Sequence, residues 1–427
     1  MTYGLIGEHL PHSFSKEIHG KCASYEYELH ELAHGAVGAF MEAADFCAIN
    51  VTIPYKQTVM SYLYEIHEQA RAIGAVNTVV NRDGKLYGYN TDFYGMLALV
   101  RHIGVEIKDK KVLILGTGGT AHTARALATS EGVRCVLTVG RSVGEGVISY
   151  EEAYTDHTDA EIIINTTPCG MFPYADGGSQ IAGTPIDITR FPRLEGVVDV
   201  VYNPIRTNLV MNAKAAGVPA EGGLYMLVGQ AVVASRVFLG EEIEQVAADT
   251  ETYETIDRIY GEIVKDKENI VLIGMPGSGK STVGKQLADA MGRPFLDTDA
   301  LIVERTGKAI SDIFAEVGEA GFREIESEVV KDTANNSTGC VIATGGGAIL
   351  RDDNVRALAR GGRIYFLDRP LEALLPTEDR PLASTADAIR RRYAERYERY
   401  CATADVRVEN GRAVEEAVSM IREDFFA

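Results

Sequence analysis

Residues 271–282 read VLIGMPGSGKST. An apolar run breaks into Gly274-x4-Gly279-Lys280-Ser281, and the residues that follow, VGKQLADAM, have a helical pattern. Glycines in such a loop let backbone N–H groups converge on phosphate oxygens, and the start of the next helix adds its dipole. The alternative is a glycine turn with an incidental lysine; a strand before and a helix after argue against it. Two other stretches share this punctuation. Residues 110–128, KKVLILGTGGTAHTARALA, read as a buried strand, a glycine turn and a helix. Residues 339–350, GCVIATGGGAIL, put a buried strand before three glycines. Short buried strands alternating with helices imply parallel sheets with crossover helices, so the fold class is α/β throughout.

At 427 residues the chain is too long for one core and implies several domains. A net charge of −19 argues against a nucleic-acid or anionic-membrane binder. The six cysteines are scattered without a CxxC pair, which fits a reducing cytoplasm and neither a disulfide framework nor a zinc site. The start, MTYGLIGEHL, lacks the features of a secretion signal, and no apolar run approaches the ~18 residues of a membrane span. Residues 241–268 hold ten acidic and three basic residues, a net of −7, with a thin stripe of Ile243, Val246, Ile256, Ile259 and Ile263. This reads as a solvated connecting helix or linker, placed at 243–267.

After the linker, 295–302 reads FLDTDALI. In a strand, positions i and i+2 face one way, so Asp297 and Asp299 point at one site. One can hold Mg²⁺ through water and the other can accept a proton from a hydroxyl undergoing phosphorylation. The alternative is a capping pair at a strand end. Arg323, in 320-AGFREIESEVV-330, precedes a periodic helix and offers a fork of donors suited to a carboxylate. Together GMPGSGKS, FLDTDALI, GFREIE, ATGGGAIL, DRPL and ERYERYCATAD resemble shikimate kinase over 268–427. The resemblance implies that Gly277, Ser278, Gly279, Lys280, Ser281 and Thr282 bind ATP, with Arg380 closing as a lid arginine. It implies Ser281 and Asp297 on Mg²⁺, Asp299 and Lys280 in catalysis, and Asp299, Arg323, Arg396, Gly345, Gly346 and Gly347 around shikimate. The lid is compact, and Pro376 stands near where the family carries a further arginine.

In the first half, Gly116-x-Gly118-x-x-Ala121 follows the strand KVLIL and opens a helix, as in a dinucleotide-binding turn. The next strand, 134-RCVLTVGRS-142, ends without the acid that would bond a ribose 2′-hydroxyl; Arg141 and Ser142 suit a 2′-phosphate, favouring NADP. Small polar residues cluster in HSFSK (12–16), NVTIPYK (50–56), GAVNT (74–78) and YNTD (89–92). Lys56 and Asp92 make a proton-transfer pair beside a carbonyl; taken singly, the lysine reads by default as a solvent-facing charge, and YNTD reads equally as an Asx turn or helix cap. With NTTPCGM (165–171), DVVYNP (199–204) and GGLYMLVGQAVVASRVF (222–238), these blocks resemble shikimate dehydrogenase over about 3–242.

That resemblance implies Lys56 and Asp92 as the catalytic pair. Ser13, Ser15, Thr52, Asn77, Tyr202 and Gln230 would face substrate, and Gly116, Gly118, Gly119, Arg141 and Ser142 would face NADP. Lys16 and Gly140 depart from the family's usual Pro and Asn. The implied organisation is a substrate domain at 1–100 joined by the helix at 224–242, a Rossmann NADP domain at 101–223, and a P-loop kinase domain at 268–427. The expected function is a cytoplasmic bifunctional enzyme that reduces 3-dehydroshikimate to shikimate and phosphorylates shikimate. Its ligands would be NADP, ATP, Mg²⁺ and the small-molecule substrates, with no nucleic acid or membrane partner. Two other readings stay open at this level: a quinate-type or NAD-using dehydrogenase fused to a kinase, and an inactive sensor that keeps both folds.

Overall fold

The structure, a computed structural model, describes residues 2–10, 14–172, 183–374, 385–411 and 413–427. The chain divides into two compact units, Met1–Ile263 and Val264–Ala427.

The first unit holds two sheets. One contains β1 (Tyr3–Gly7), β2 (Tyr27–Glu31), β3 (Ala48–Val51), β4 (Glu65–Ile66), β5 (Thr78–Arg82) and β6 (Lys85–Tyr89), in the order β2-β1-β3-β5-β6-β4. β1 is parallel to β2 and β3, while β5 and β6 form an antiparallel hairpin. Its two-residue turn, Asp83-Gly84, has φ of 53° and 82°, the doubly positive geometry that Asp-Gly sequences favour between twisted strands. The helices of this part are α1 (Ser15–Cys22), α2 (Val37–Ala43), α3 (Glu68–Ile73) and α4 (Thr91–His102).

The second sheet contains β7 (Lys111–Leu115), β8 (Cys135–Val139), β9 (Val147–Ile148), β10 (Ile162–Asn165), β11 (Gly196–Asp199) and β12 (Ala220–Glu221). All its strand pairs are parallel, in the order β12-β11-β10-β7-β8-β9. Counted from β7, this is the 3-2-1-4-5-6 order of a dinucleotide-binding sheet. Its helices are α5 (Gly119–Ser130), α6 (Tyr150–Asp156) and α7 (Asn208–Ala215).

After β12, helix α8 (Gly223–Phe238) packs closely on α4. A Cβ on Gly95 would stand 2.5 Å from the Met226 carbonyl, so only glycine permits this approach. Val233, Val237 and Phe238 share a core with Leu5, Ala48 and Val80 of the first sheet. The acidic stretch that follows is helical, as one of the two expectations had it, but it is not solvated on all sides. It forms α9 (Ile243–Ala248) and α10 (Thr250–Lys267), with Ile256, Ile259 and Ile263 fully buried. Asp257 accepts a hydrogen bond from Tyr225 at 2.7 Å, and the Tyr260 ring sits edge-on to Tyr225. Spacing of i, i+3 and i+7 puts the three isoleucines on one face, and the charges occupy the other.

The second unit is one parallel sheet of β13 (Asn269–Ile273), β14 (Phe295–Asp297), β15 (Val341–Ala343), β16 (Gly362–Asp368) and β17 (Val406–Glu409), in the order β14-β15-β13-β16-β17. Its helices are α11 (Lys280–Met291), α12 (Thr298–Thr306), α13 (Ile310–Asn336, broken at Gly318), α14 (Asp352–Gly361), α15 (Ala386–Thr403) and α16 (Val414–Phe426). Val271 and Ile273 enter one core, Ile270 and Leu272 the other. Burial on both faces is why β13 reads as an unbroken apolar run. Among the described residues, no helix is long and apolar enough to cross a membrane.

Candidate active sites

In the second unit the chain leaves β13 into a loop where Gly277 and Gly279 take φ of 81° and 92°, and enters α11 at Lys280. The Lys280 ammonium donates to the Gly274 and Met275 carbonyls at 2.9 and 3.0 Å, which holds it inside the loop's concavity. Ser278 Oγ is buried there with no hydrogen-bond partner among the described residues. Ser281 Oγ lies 2.6 Å from Asp297 Oδ2. The other Asp297 oxygen accepts from the backbone N–H groups of Asp299 and Ala300 at 3.0 and 3.4 Å.

The strand therefore stops at Asp297, whose capping turns the chain into α12. Asp299 sits in the first turn of that helix and not two residues along a strand as expected. Capping overrides the period-two geometry, yet both carboxylates still line one cavity of about 500 Å³ with Lys280, Ser281 and Thr282.

Across that cavity, Arg323 lies within α13, one turn past the break at Gly318, and not ahead of the helix. It donates to Glu326 at 2.6 Å and to Glu319 at 3.2 Å. Glu326 is only 2% exposed; burial pushes its carboxyl up while the Arg323 guanidinium opposes the shift. A Cβ on Gly347 would stand 1.9 Å from Arg323 Nη1, and one on Gly345 would stand 2.5 Å from Asp299 Oδ1. The triple glycine thus lets the backbone pass under the acid and the arginine. Arg396, in α15, donates to the Gly346 carbonyl at 3.0 Å. The structure brings together the nucleotide loop, both aspartates, three glycines and two arginines. Arg380 lies outside the described residues.

A second cavity, of about 360 Å³, lies in the first unit. Lys56 Nζ donates to Asp92 Oδ2 at 2.6 Å, and both line it. Asn90 caps α4 by accepting from Phe93 N, which fixes Asp92 in the helix's first turn. Asn77 Oδ1 accepts from Thr91 N at 2.7 Å, and its amide donates to Thr91 Oγ1 at 3.0 Å. Ser15, Thr52, Asn77, Tyr202 and Gln230 line the same cavity. Ser13 lies outside the described residues.

Gly116 has φ of 104° after β7, and the N-terminal end of α5 begins at Gly119. A Cβ on Gly118 or Gly119 would meet nothing within 4 Å, so the turn is open to an incoming group. Gly140 follows β8, and Arg141 and Ser142 are exposed, with no acid at that strand end.

Two groups escaped sequence reasoning. Glu326 sits three residues after Arg323, a spacing common on exposed helix faces, so only burial marks it as the residue that positions the arginine. Asn50 lines the first cavity and donates to Thr78 Oγ1 at 3.1 Å while accepting from Tyr27 OH at 2.7 Å. It sits in the quoted NVTIPYK run without a distinctive mark.

The residues fit the implied ligands. An open glycine turn at a helix start suits a pyrophosphate, and an exposed Arg-Ser pair suits a 2′-phosphate. The hydroxyl of Ser281 beside the Asp297 carboxylate is a hard-oxygen donor set, and Mg²⁺ normally takes one or two such protein ligands and fills the rest with water and phosphate oxygens.

A dinucleotide-dependent oxidoreductase and a P-loop phosphotransferase are thus carried on one chain. Residues 5–79 match the family model for the shikimate dehydrogenase substrate binding domain, and residues 276–425 match that for shikimate kinase. An NADP(+) shikimate dehydrogenase from Clostridium beijerinckii is 36% identical over 251 residues, covering 55% of this chain and 91% of the relative. A solved chorismate mutase/shikimate 5-dehydrogenase fusion protein from Clostridium acetobutylicum superposes with a TM-score of 0.54 at 34% identity, covering 61% of this chain and 96% of that one. A shikimate dehydrogenase solved in complex with NADP+ gives a TM-score of 0.51 at 30% identity, covering 60% and 95%. The chain belongs to the shikimate dehydrogenase family, and it carries a shikimate kinase domain after that half.

Proposed function

We propose that the first unit reduces 3-dehydroshikimate to shikimate with NADPH and the second transfers the γ-phosphoryl group of ATP to the shikimate 3-hydroxyl. The observation that carries the reading is the 2.6 Å Lys56–Asp92 pair facing a cavity where the polar side chains of Ser15, Thr52, Asn77 and Gln230 converge within a partly apolar lining. When bound, NADPH supplies the hydride for the carbonyl carbon. Lys56 and Asp92 hold and deliver the proton at the carbonyl oxygen, while Asn77, Thr52, Ser15 and Gln230 fix the ring by its carboxylate and hydroxyls. In the second unit Asp299 takes the hydroxyl proton, and Arg323 and Arg396 clamp the carboxylate. Lys280 and the loop N–H groups neutralise phosphate charge, and Ser281 and Asp297 hold Mg²⁺.

The missing acid after β8 supports NADP over NAD. Full retention of Lys56, Asp92, Lys280, Asp297, Asp299, Arg323 and Arg396 argues against an inactive sensor. One assay tests the whole reading: purified protein with 3-dehydroshikimate and NADPH, then ATP, following NADPH loss and ADP release. Oxidation of NADPH before ATP is added, and ADP release only once shikimate is present, are expected. No NADPH consumption would remove the first activity, and no shikimate-dependent ADP release the second.

A further inference from the structure

Arg369 is the first residue after β16, the strand that runs parallel to β13 and in register with it. Its place is fixed from both sides. The Asp368 carbonyl accepts from Asn410 N at 2.8 Å, and the Asn410 amide donates to the Ser278 carbonyl at 2.5 Å, tying the ends of β16 and β17 to the nucleotide loop. Pro370 follows and fixes the exit. The Arg369 side chain lines the cavity beside Gly277, Gly279 and Lys280. Its Nη1 lies 3.9 Å from where a Cβ on Gly279 would stand.

Among the described residues nothing compensates the guanidinium. Nε is buried without a hydrogen-bond partner, and no ion pair engages the group among the described residues. The adjacent carboxylate is already taken: Asp368 accepts from Arg407 Nε at 2.7 Å and from Tyr397 OH at 3.1 Å. The cavity's other clamp arginines are engaged, Arg323 by Glu326 and Arg396 by the Gly346 carbonyl. A half-buried guanidinium with no partner is costly unless an anion completes it. The backbone of such a loop cradles the α- and β-phosphates, with the lysine reaching further out.

We propose that Arg369 is a nucleotide-binding residue that forks onto the α/β-phosphate side of bound ATP from the end of β16. This deepens the kinase reading above and rests on it. Hydrogen bonds to charged groups imply a loss of about ten- to a hundredfold in ATP KM for Arg369→Gln. The ADP dissociation constant should rise by the same factor, because ADP keeps both phosphates. Arg369→Lys should recover only part of the loss, because an ammonium keeps the charge without the fork, and KM for shikimate should stay within about twofold, as expected for a distinct contact. Arg369→Met keeps the stem without the charge and serves if the glutamine variant does not fold.

ATP KM and ADP affinity both within about twofold of wild type would overturn the assignment. So would a loss for ATP with ADP unmoved, which would place the group on the γ-phosphate, or a parallel rise in shikimate KM. ADP binding is measured on the full chain without turnover. It therefore reads Arg369 even if the wild-type chain released no ADP with shikimate, a result that would instead remove the kinase function.

Discussion

Asp199 ends β11 with no exposure, accepting from Asn165 Nδ2 at 2.9 Å, Val201 N at 3.1 Å and Thr207 Oγ1 at 2.7 Å. Burial pushes its carboxyl up to about 6, outweighing the three donors. A folded carboxyl that keeps its proton to higher pH than the unfolded one makes stability fall as pH rises from the unfolded value, near 3.8, through about 6. Asp199→Asn removes that slope. Its stability relative to wild type should climb across this window by on the order of 2 kcal/mol, read as thermal midpoints of the first unit at several pH values. A difference flat with pH would refute it. In the second unit, Gly347→Ala would drive a methyl into the Arg323 guanidinium, with 1.9 Å to Nη1 and 2.3 Å to Cζ. Shikimate KM should rise by about tenfold or more with ATP KM little changed; a parallel rise in both would show that the glycine serves the nucleotide. Neither Asp199 nor Glu326 stands out in the sequence, because a lone acid says nothing of its burial. Lys56, Asp92 and the P-loop lysine were legible because they sit in runs whose neighbours also face the cavity.

At the scale of elements, β7, β13 and β15 were readable because burial on both faces leaves an unbroken apolar signature. The turn from β14 to α12 was not, since a capping carboxylate and a strand-borne one look identical in FLDTD. The acidic stretch misled differently. Its charge count suggested solvent, while three isoleucines at helical spacing were enough to bury one face of α10. Ile256→Ala should therefore cost about 2–5 kcal/mol, as truncations of buried residues do. Denaturant unfolding followed through dehydrogenase activity and circular dichroism would measure it. A cost below about 0.5 kcal/mol, the level of surface substitutions, would return the stretch to the role of a linker.

For the whole molecule, each cavity is lined by residues of one unit only. Each activity should then be separable, with Asp92→Asn removing NADPH oxidation and Lys280→Ala removing ADP release. The product of the first reaction is an anion, and the chain carries −19 overall with −7 in residues 241–268, so the protein's field does not hold that anion near itself. Shikimate should leave the first site, mix with bulk and return to the second. An equimolar mixture of Asp92→Asn and Lys280→Ala proteins then restores the full conversion of 3-dehydroshikimate. Its ADP release should show the same lag as wild type at the same site concentration, because in both cases free shikimate must first build up toward the kinase KM. A wild-type course without lag, under conditions where the mixture lags, would mean that shikimate passes between the sites unmixed, and free diffusion would be wrong for this chain.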